Sequence, residues 1–235
     1  MAQLYIYQAK FLKDKQLQKQ YESADWLIPI QVGAALAEKR ICTITDDSGD
    51  NISKKNPNYC ELTALYWIWK NKLSNLENLK NSYYGLFHYR RVLDISEEDV
   101  ERMILNDVDA VLPFPTIHEP DISEHHVRYI GDKDWDALQI AVKEIAPEYY
   151  VKFSEIFSQP YFYNYNILVA KPTVLSSYCE WLFPILNRIE ELCESKENVR
   201  LDRYMGYLGE NLLTLYFLYN KEQLKIVHTG RLMLT

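Results

Sequence analysis

The stretch YYGLFHYRR (83–91) decides how the chain folds. It opens as a buried strand and then presents His88, Arg90 and Arg91, in a chain of formal net charge -7. Side chains alternate faces along a strand. Extended backbone would therefore group Leu86, His88 and Arg90 on one face, and Phe87, Tyr89 and Arg91 on the other. The two arginines are expected to diverge, with Arg90 beside His88. A guanidinium fork suits a diphosphate, because it makes two parallel hydrogen bonds to phosphate oxygens. His88 could steady developing phosphate charge or act as an acid. Spacing alone leaves another reading open: strand-end arginines paired with some of the 33 acidic residues, and a satisfied histidine.

Working outward, LYIYQA (4–9) reads as a first strand, and 11–30 as a polar helical or loop segment with an apolar end. The stretch 32–40 is a short helical candidate. ICTITDD (41–47) reads as a strand running into a loop rich in Asp, Asn, Ser and Gly. A helix is predicted over 57–72, with Asn56 as cap and Pro57 in the first position. Leu62, Leu65, Tyr66, Trp69 and Leu73 form its core stripe. Ser96 and Asp99 form a capping box that opens a helix to about 106. Strands are predicted at DAVLPF (109–114), YFYNYNILVA (161–170) and LKIVH (224–228). Helices are predicted near 135–145, over 147–157, from 172 to about 195 with a bend at Pro184, and after Asp202. Alternating strands and helices point to an α/β layered domain with a mixed, mostly parallel sheet and long C-terminal helices. Ligands of such sheets sit beyond the C-terminal strand ends. The Asp-rich loop and HYRR are both expected there.

The totals narrow the function classes. A chain of 235 residues fits one domain spanning 1–235 and can bury a large core without disulfides. The acidic balance argues against a nucleic-acid partner and against broad adhesion to anionic lipid. The 19 tyrosines and 5 tryptophans can wall a pocket for a polar ring as well as fill a core. Cys42, Cys60, Cys179 and Cys193 form no CxxC pair and read as reduced thiols of a cytoplasmic protein. No signal-peptide pattern and no membrane-length apolar run is expected.

Several clusters carry chemistry and a plainer alternative. Asp46, Asp47 and Asp50 could hold a divalent cation, manganese or magnesium, that carries a nucleotide diphosphate; equally they suit a solvated turn. Glu61 lies near a helix N-terminus, where a carboxylate also compensates the dipole. Tyr66 and Trp67 can wall a pocket or pack in the core, and Lys70 can be solvated. Arg203 and Glu210 are seven residues apart on one helix face, as an ion pair or with Glu210 as an acid/base group. His118, His125 and His126 lack the HExxH spacing of a zinc site. No G-x-S-x-G, Walker A or G-x-G-x-x-G motif occurs.

In this order, IPIQVGAAL, DDSGDNISKKNPNYCELTALYWIWKN, YYGLFHYRR, YFYNYNILV, YCEWLFPIL and RYMGYLGENLL resemble a bacterial glycosyltransferase family of capsular-polysaccharide and O-antigen assembly. That family was formerly a domain of unknown function, and its characterised members transfer galactofuranose. The resemblance covers nearly the whole chain. The matching positions are Asp47, Asn51, Asn56, Glu61, Tyr66, Trp67, Lys70, His88, Tyr89, Arg90, Arg91, Asn164, Arg203 and Glu210. Gln8 to Lys10 depart from a usual His-Lys pair. Tyr165 and Asn166 stand where Met and an aromatic residue are usual, and Asn211 where Arg is common.

The resemblance implies a GT-A-like, single-domain hexosyltransferase using a UDP-sugar, with galactofuranose as the sugar. It implies a polyprenyl-diphosphate-linked glycan acceptor, other polysaccharide-assembly enzymes as partners, and a place at the inner face of the plasma membrane. An inverting transfer needs a carboxylate to take the acceptor proton, and Glu210 or Asp47 could be that base. His88 would be a further catalytic group; Arg90, Arg91, Asn51, Asn56, Glu61, Tyr66, Trp67, Lys70, Asn164 and Arg203 would bind the donor; Tyr163 could stack on a ring with Tyr66 and Trp67. Alternatives are a pyranosyltransferase using another UDP-sugar, a non-catalytic nucleotide- or glycan-binding subunit, and, with least support, a phosphodiesterase or nuclease using the Asp cluster.

Overall fold

A computed structural model describes residues 3–17, 24–125, 128–194 and 200–235. Its strands are β1 (Gln3–Lys10), β2 (Leu27–Gln31), β3 (Ile44–Thr45), β4 (Ser82–His88), β5 (Arg91–Leu93), β6 (Ala110–Pro113), β7 (Thr116–Ile117), β8 (Tyr161–Phe162), β9 (Leu168–Ala170), β10 (Ile226–Thr229) and β11 (Arg231–Met233). The helices are α1 (Asn56–Tyr59), α2 (Leu62–Lys72), α3 (Glu97–Leu105), α4 (Ile122–His125), α5 (Asp132–Ile145), α6 (Pro147–Tyr150), α7 (Phe153–Phe157), α8 (Pro172–Cys193) and α9 (Tyr204–Tyr219).

The main sheet runs β10-β6-β9-β4-β1-β2-β3. Every neighbour pair on this path is parallel except the two that β9 makes. The sheet is therefore mixed and mostly parallel, as the alternating pattern predicts. β4 is buried at every position but His88. Its Tyr84 and Leu86 face a core shared with α2, α5, α8 and α9. Its Tyr83 and Phe87 face a second core with Leu4, Ile6, Val92 and Val100. Cover on both faces is why this strand carries almost no polar side chain. Gly85 marks a close approach: a Cβ there would lie 2.6 Å from the Leu168 carbonyl oxygen of β9.

The order β3-β2-β1-β4 creates a switch point. The chain builds outward from β1 to β3, then returns to place β4 on the other side of β1. The crevice outside the strand ends at such a point is where open α/β sheets bind ligands. β1 and β4 end there, their last paired residues being Ala9 and His88.

Several local expectations change. The single helix 57–72 breaks at Cys60, whose φ of 52° and ψ of -131° lie outside the helical region. Asn56 is not its cap; it lies in α1 and donates through Nδ2 to the Cys60 carbonyl and to Thr63 Oγ1. The strand 161–170 splits into β8 and β9, because Tyr165 and Asn166 take positive φ. The strand 41–47 shrinks to β3, the candidate at 32–40 becomes a single 3-10 turn over Ala34–Leu36, and 147–157 divides into α6 and α7. The Ser96–Asp99 capping box is present, and Pro184 lies inside α8. Part of 11–30, the end of the helix from 172, and His126 fall outside the described residues.

Candidate active site

β4 does not continue to Arg91. It stops at His88, turns through Tyr89 and Arg90, and returns as β5, with His88 paired to Arg91. Directly opposed residues of an antiparallel pair project to the same face. The turn therefore places Arg91 beside His88, and it brings Arg90 to the same place. The expected divergence of the two arginines is corrected: both line one cavity of about 300 Å³.

That cavity is walled by Glu61, His88, Arg90, Arg91, Asn164, Arg203 and Glu210, with Tyr129, Tyr165, Tyr207, Phe162, Ile122, Ile130 and Asn211. A second cavity of about 270 Å³ lies against it and shares Glu61, His88, Arg90 and Arg203. Its other walls include Ala9 near the end of β1, Val32 just past β2, Asn56, Cys60, Tyr89 and Asp14. The two chambers meet over the C-terminal strand ends at the switch point.

The electrostatics of this junction are unusual. Burial, followed by the charges of Arg91, Arg90 and Arg203, pushes the His88 imidazole down to about 3. At neutral pH it is uncharged and offers a ligand an N–H or a lone pair. Burial, then the neighbouring Glu61, pushes the Glu210 carboxyl up to about 8. The Tyr165 amide hydrogen bond, Arg91 and Arg203 oppose that rise. Burial also raises Glu61, which accepts a 2.8 Å hydrogen bond from Asn166 Nδ2. Asn166 donates as well to the Gly206 carbonyl at 3.0 Å, tying Glu61 to α9. Arg203, in a left-handed conformation with φ 66°, precedes α9 and donates Nε to Cys60 Sγ at 3.3 Å. Burial drives the Cys60 thiol up to about 12, so it stays protonated. Arg91 and Arg231 stack on the Tyr165 ring, at 4.0 and 4.7 Å from its centroid.

Unsatisfied groups gather here. His88 Nδ1, Arg90 Nε, Arg91 Nε and Asn211 Oδ1 are buried with no hydrogen-bond partner among the described residues. Buried polar atoms are normally paired, so these four are exceptions.

The other sequence candidates stand elsewhere. Asp46 accepts from the Gly33 and Ala34 amides, Ser53 Oγ and Thr63 Oγ1, at 2.5 to 3.0 Å. Asp47 accepts from Thr45 Oγ1 and Arg40. Burial tends to raise its carboxyl, but those hydrogen bonds and the Arg40 charge prevail and hold it low. Asp50 accepts from Tyr66 Oη at 3.1 Å. Asn51 bonds the Asp47 and Gly49 carbonyls, and Trp67 Nε1 bonds Ser48. Lys70 Nζ lies 3.5 Å over the Trp69 ring. Asp46 to Thr63, Asp50 to Tyr66 and Ser48 to Trp67 fasten the 45–51 loop to α2, and none of these site candidates lines the two chambers. The aspartates do not converge. Among the described residues no three His, Cys, Asp or Glu side chains could hold a metal ion together. Tyr163 is buried, with Oη 2.7 Å from His228 Nε2.

Sequence reasoning did not single out Tyr129, Tyr207, Asp14 or Cys60 as chamber walls. Cys60 and Asp14 reach it through a helix break and a loop that spacing does not report. Asn211 had a signal: it is an amide inside the apolar run of α9.

Residues 12–222 match the profile of a family described as a domain of unknown function, DUF4422. The chain belongs to that family. The DUF4422 fold seen here is similar to the apo structure of the bifunctional glycosyltransferase WbbM, at a TM-score of 0.81 and 26% identity. The similarity covers 99% of this DUF4422 chain and 45% of WbbM, so the chain spans under half the length of that protein. A search of curated proteins finds no match. Among the described residues, no helix of this DUF4422 protein is long and apolar enough to cross a membrane.

Proposed function

We propose that residues 1–235 form one GT-A-like glycosyltransferase domain that moves a hexosyl group from a UDP-sugar, galactofuranose from UDP-galactofuranose, to a hydroxyl of a polyprenyl-diphosphate-linked glycan. The observation that carries this reading is the junction of the two chambers. Arg90 and Arg203 line both chambers, and Arg91 and Glu210, a carboxyl of raised proton affinity, line the first, at the sheet's switch point. The similarity to WbbM supports it.

Each group then has a task. When the bond from the anomeric carbon to the diphosphate breaks, negative charge grows on the leaving UDP. Arg90, Arg91 and Arg203 balance it, and neutral His88 adds a hydrogen bond. The acceptor hydroxyl attacks the anomeric carbon and gives its proton to Glu210, which inverts the centre. Glu210 suits that role better than Asp47, whose carboxyl is held low and lies outside both chambers. Asn56, in the second chamber, and Asn164, in the first, would bind the donor with Glu61. No step is routed through a metal, since the aspartate loop is fastened to protein donors. The enzyme would work on the cytoplasmic side of the plasma membrane in capsular, exopolysaccharide or O-antigen synthesis, beside other assembly enzymes.

The test is a transfer assay with UDP-galactofuranose and other UDP-sugars against lipid-linked glycan acceptors. Release of UDP coupled to a sugar-extended acceptor is expected. UDP binding without turnover of any donor would replace this reading with a non-catalytic binding subunit.

A further inference from the structure

The arginine turn has little of its own to hold it. β5 is three residues long and pairs with β4 at one position, His88 with Arg91. Its other edge is covered by β11, which runs antiparallel to it with Arg231 opposite Leu93, Leu232 opposite Val92 and Met233 opposite Arg91. Both carbonyls of the turn are bound. Gln8 Nε2 donates to that of Tyr89 at 3.1 Å, and the Leu234 amide donates to that of Arg90 at 2.8 Å. The chain after Gly230 therefore braces the backbone that carries Arg90 and Arg91.

The side chains are braced through one ring. Among the described residues no carboxylate stands within ion-pair distance of Arg91 or Arg231. Arg91 Nε and Arg231 Nη1 are buried without a hydrogen-bond partner among them. Both guanidiniums instead lie over Tyr165, 4.0 and 4.7 Å from its ring centroid. A guanidinium is drawn to an aromatic face, more strongly where water is excluded. Tyr165 has φ 72°, which a tyrosine rarely adopts, so contacts rather than backbone preference keep its ring there. Arg91 and Tyr165 line the first chamber, whereas Arg231 lines neither chamber. It reaches the site through the ring.

We propose that Arg231 is a positioning residue: seated on Tyr165, it fixes the ring against which the Arg91 guanidinium is held for the diphosphate of the donor. The inference rests on the transferase reading above and extends it to a residue outside the chambers. Two guanidiniums on one ring repel each other, and an anion bound by Arg91 offsets that repulsion. The arrangement therefore favours a ligand of negative charge.

The experiment is a double-mutant cycle on UDP affinity, measured by calorimetry on wild type, Arg231→Ala, Arg91→Ala and the double variant. Arg231→Ala is expected to weaken UDP binding roughly 3- to 30-fold when Arg91 is present. In the Arg91→Ala background the same change should matter less than about twofold, because the guanidinium it steadies is gone. Arg231→Met keeps an apolar stem and repeats the cycle if the alanine variant melts below the assay temperature. Arg231→Lys should recover part of the loss, since an ammonium can also sit over a ring. An effect of equal size in both backgrounds would make Arg231 an independent charge or a stability element. That result would overturn the inference and leave the transferase reading standing. Unchanged UDP affinity in Arg231→Ala, or in Arg91→Ala, overturns it as well. Failure of the wild type to bind UDP would remove the UDP-sugar reading itself, and this inference with it.

Discussion

His88 and Arg91 face each other across a two-residue turn, and that pairing sets a guanidinium beside an imidazole at the end of β4. Burial, and after it the guanidinium beside it, suppresses protonation of the imidazole, while the turn delivers Arg90 to the same walls. Arg90→Ala and Arg91→Ala are therefore each expected to lower kcat/KM about 100-fold or more, with the fold retained by circular dichroism. Lysine at either position should recover only part of the loss, since an ammonium has no fork. Arg91→Ala should also melt earlier than Arg90→Ala, because Arg91 packs 4.0 Å from the Tyr165 ring centroid. Full activity in either alanine variant removes that arginine from the donor site.

The Glu210 carboxyl gives a pH signature in both activity and stability. As a base it works only when ionised. With a proton affinity near 8, about a tenth of it is ionised at pH 7. Transfer should rise with pH through about 8 and then level. Glu210→Gln should abolish this limb together with turnover. The stability sign is opposite. A carboxyl whose folded value is raised binds more protons folded than unfolded, so its contribution is present at low pH and is lost as pH climbs from the ordinary carboxylate range through about 8. Urea denaturation should show Glu210→Gln gaining on wild type across that window, by an amount on the order of a few kcal/mol. A difference that stays flat with pH would mean that Glu210 is already ionised.

Gly85 tests the sheet rather than the site. A Cβ there would stand 2.6 Å from the Leu168 carbonyl and 2.8 Å from Ile6 Cδ1. The first contact is with backbone, which cannot swing aside. Gly85→Ala should cost about 1–3 kcal/mol or more in denaturant unfolding. Gly230→Ala, whose nearest contact would be the Asp94 Cβ at 3.7 Å, is the control and should cost much less.

What the sequence disclosed and what it hid follow a physical line. Alternating elements and the apolar run of β4 gave the mostly parallel sheet, because buried strands need an uninterrupted apolar supply. The Ser96–Asp99 box was legible because a cap is local in sequence. Three features were not. The β4–β5 turn has no Gly or Asn to announce it, so strand alternation carried on past His88 and set the arginines apart. The break at Cys60 and the positive φ of Tyr165 occur at residue types that rarely take such backbone, and at Asn166, a type that tolerates it, tertiary contacts select it. Asn166, for example, is held at Glu61 and Gly206. The role of the aspartates was illegible for a similar reason. Asp, Gly and Asn in a loop look alike whether they face a cation or the loop's own amides. Only the structure shows Asp46 closing on Gly33, Ala34, Ser53 and Thr63.

Those bonds lead to a test of metal dependence. Asp46 has both oxygens committed to four protein donors, and Asp47 has one on Thr45 and one on Arg40. Binding a cation there would require breaking several of these bonds, and among the described residues no three His, Cys, Asp or Glu side chains gather to hold one. The charge of the leaving diphosphate would instead be met by Arg90, Arg91 and Arg203, which need no ion. Transfer is expected to continue in EDTA at a rate within about twofold of the untreated enzyme. Asp46→Asn should act through stability, because it breaks the loop's buried acceptor, and should lower the melting temperature while the folded fraction keeps its donor affinity. Loss of activity in EDTA, restored by manganese or magnesium, would show that a cation shares the diphosphate with the arginines. If Asp46→Asn also raised the manganese requirement, the aspartate loop would be where that cation sits.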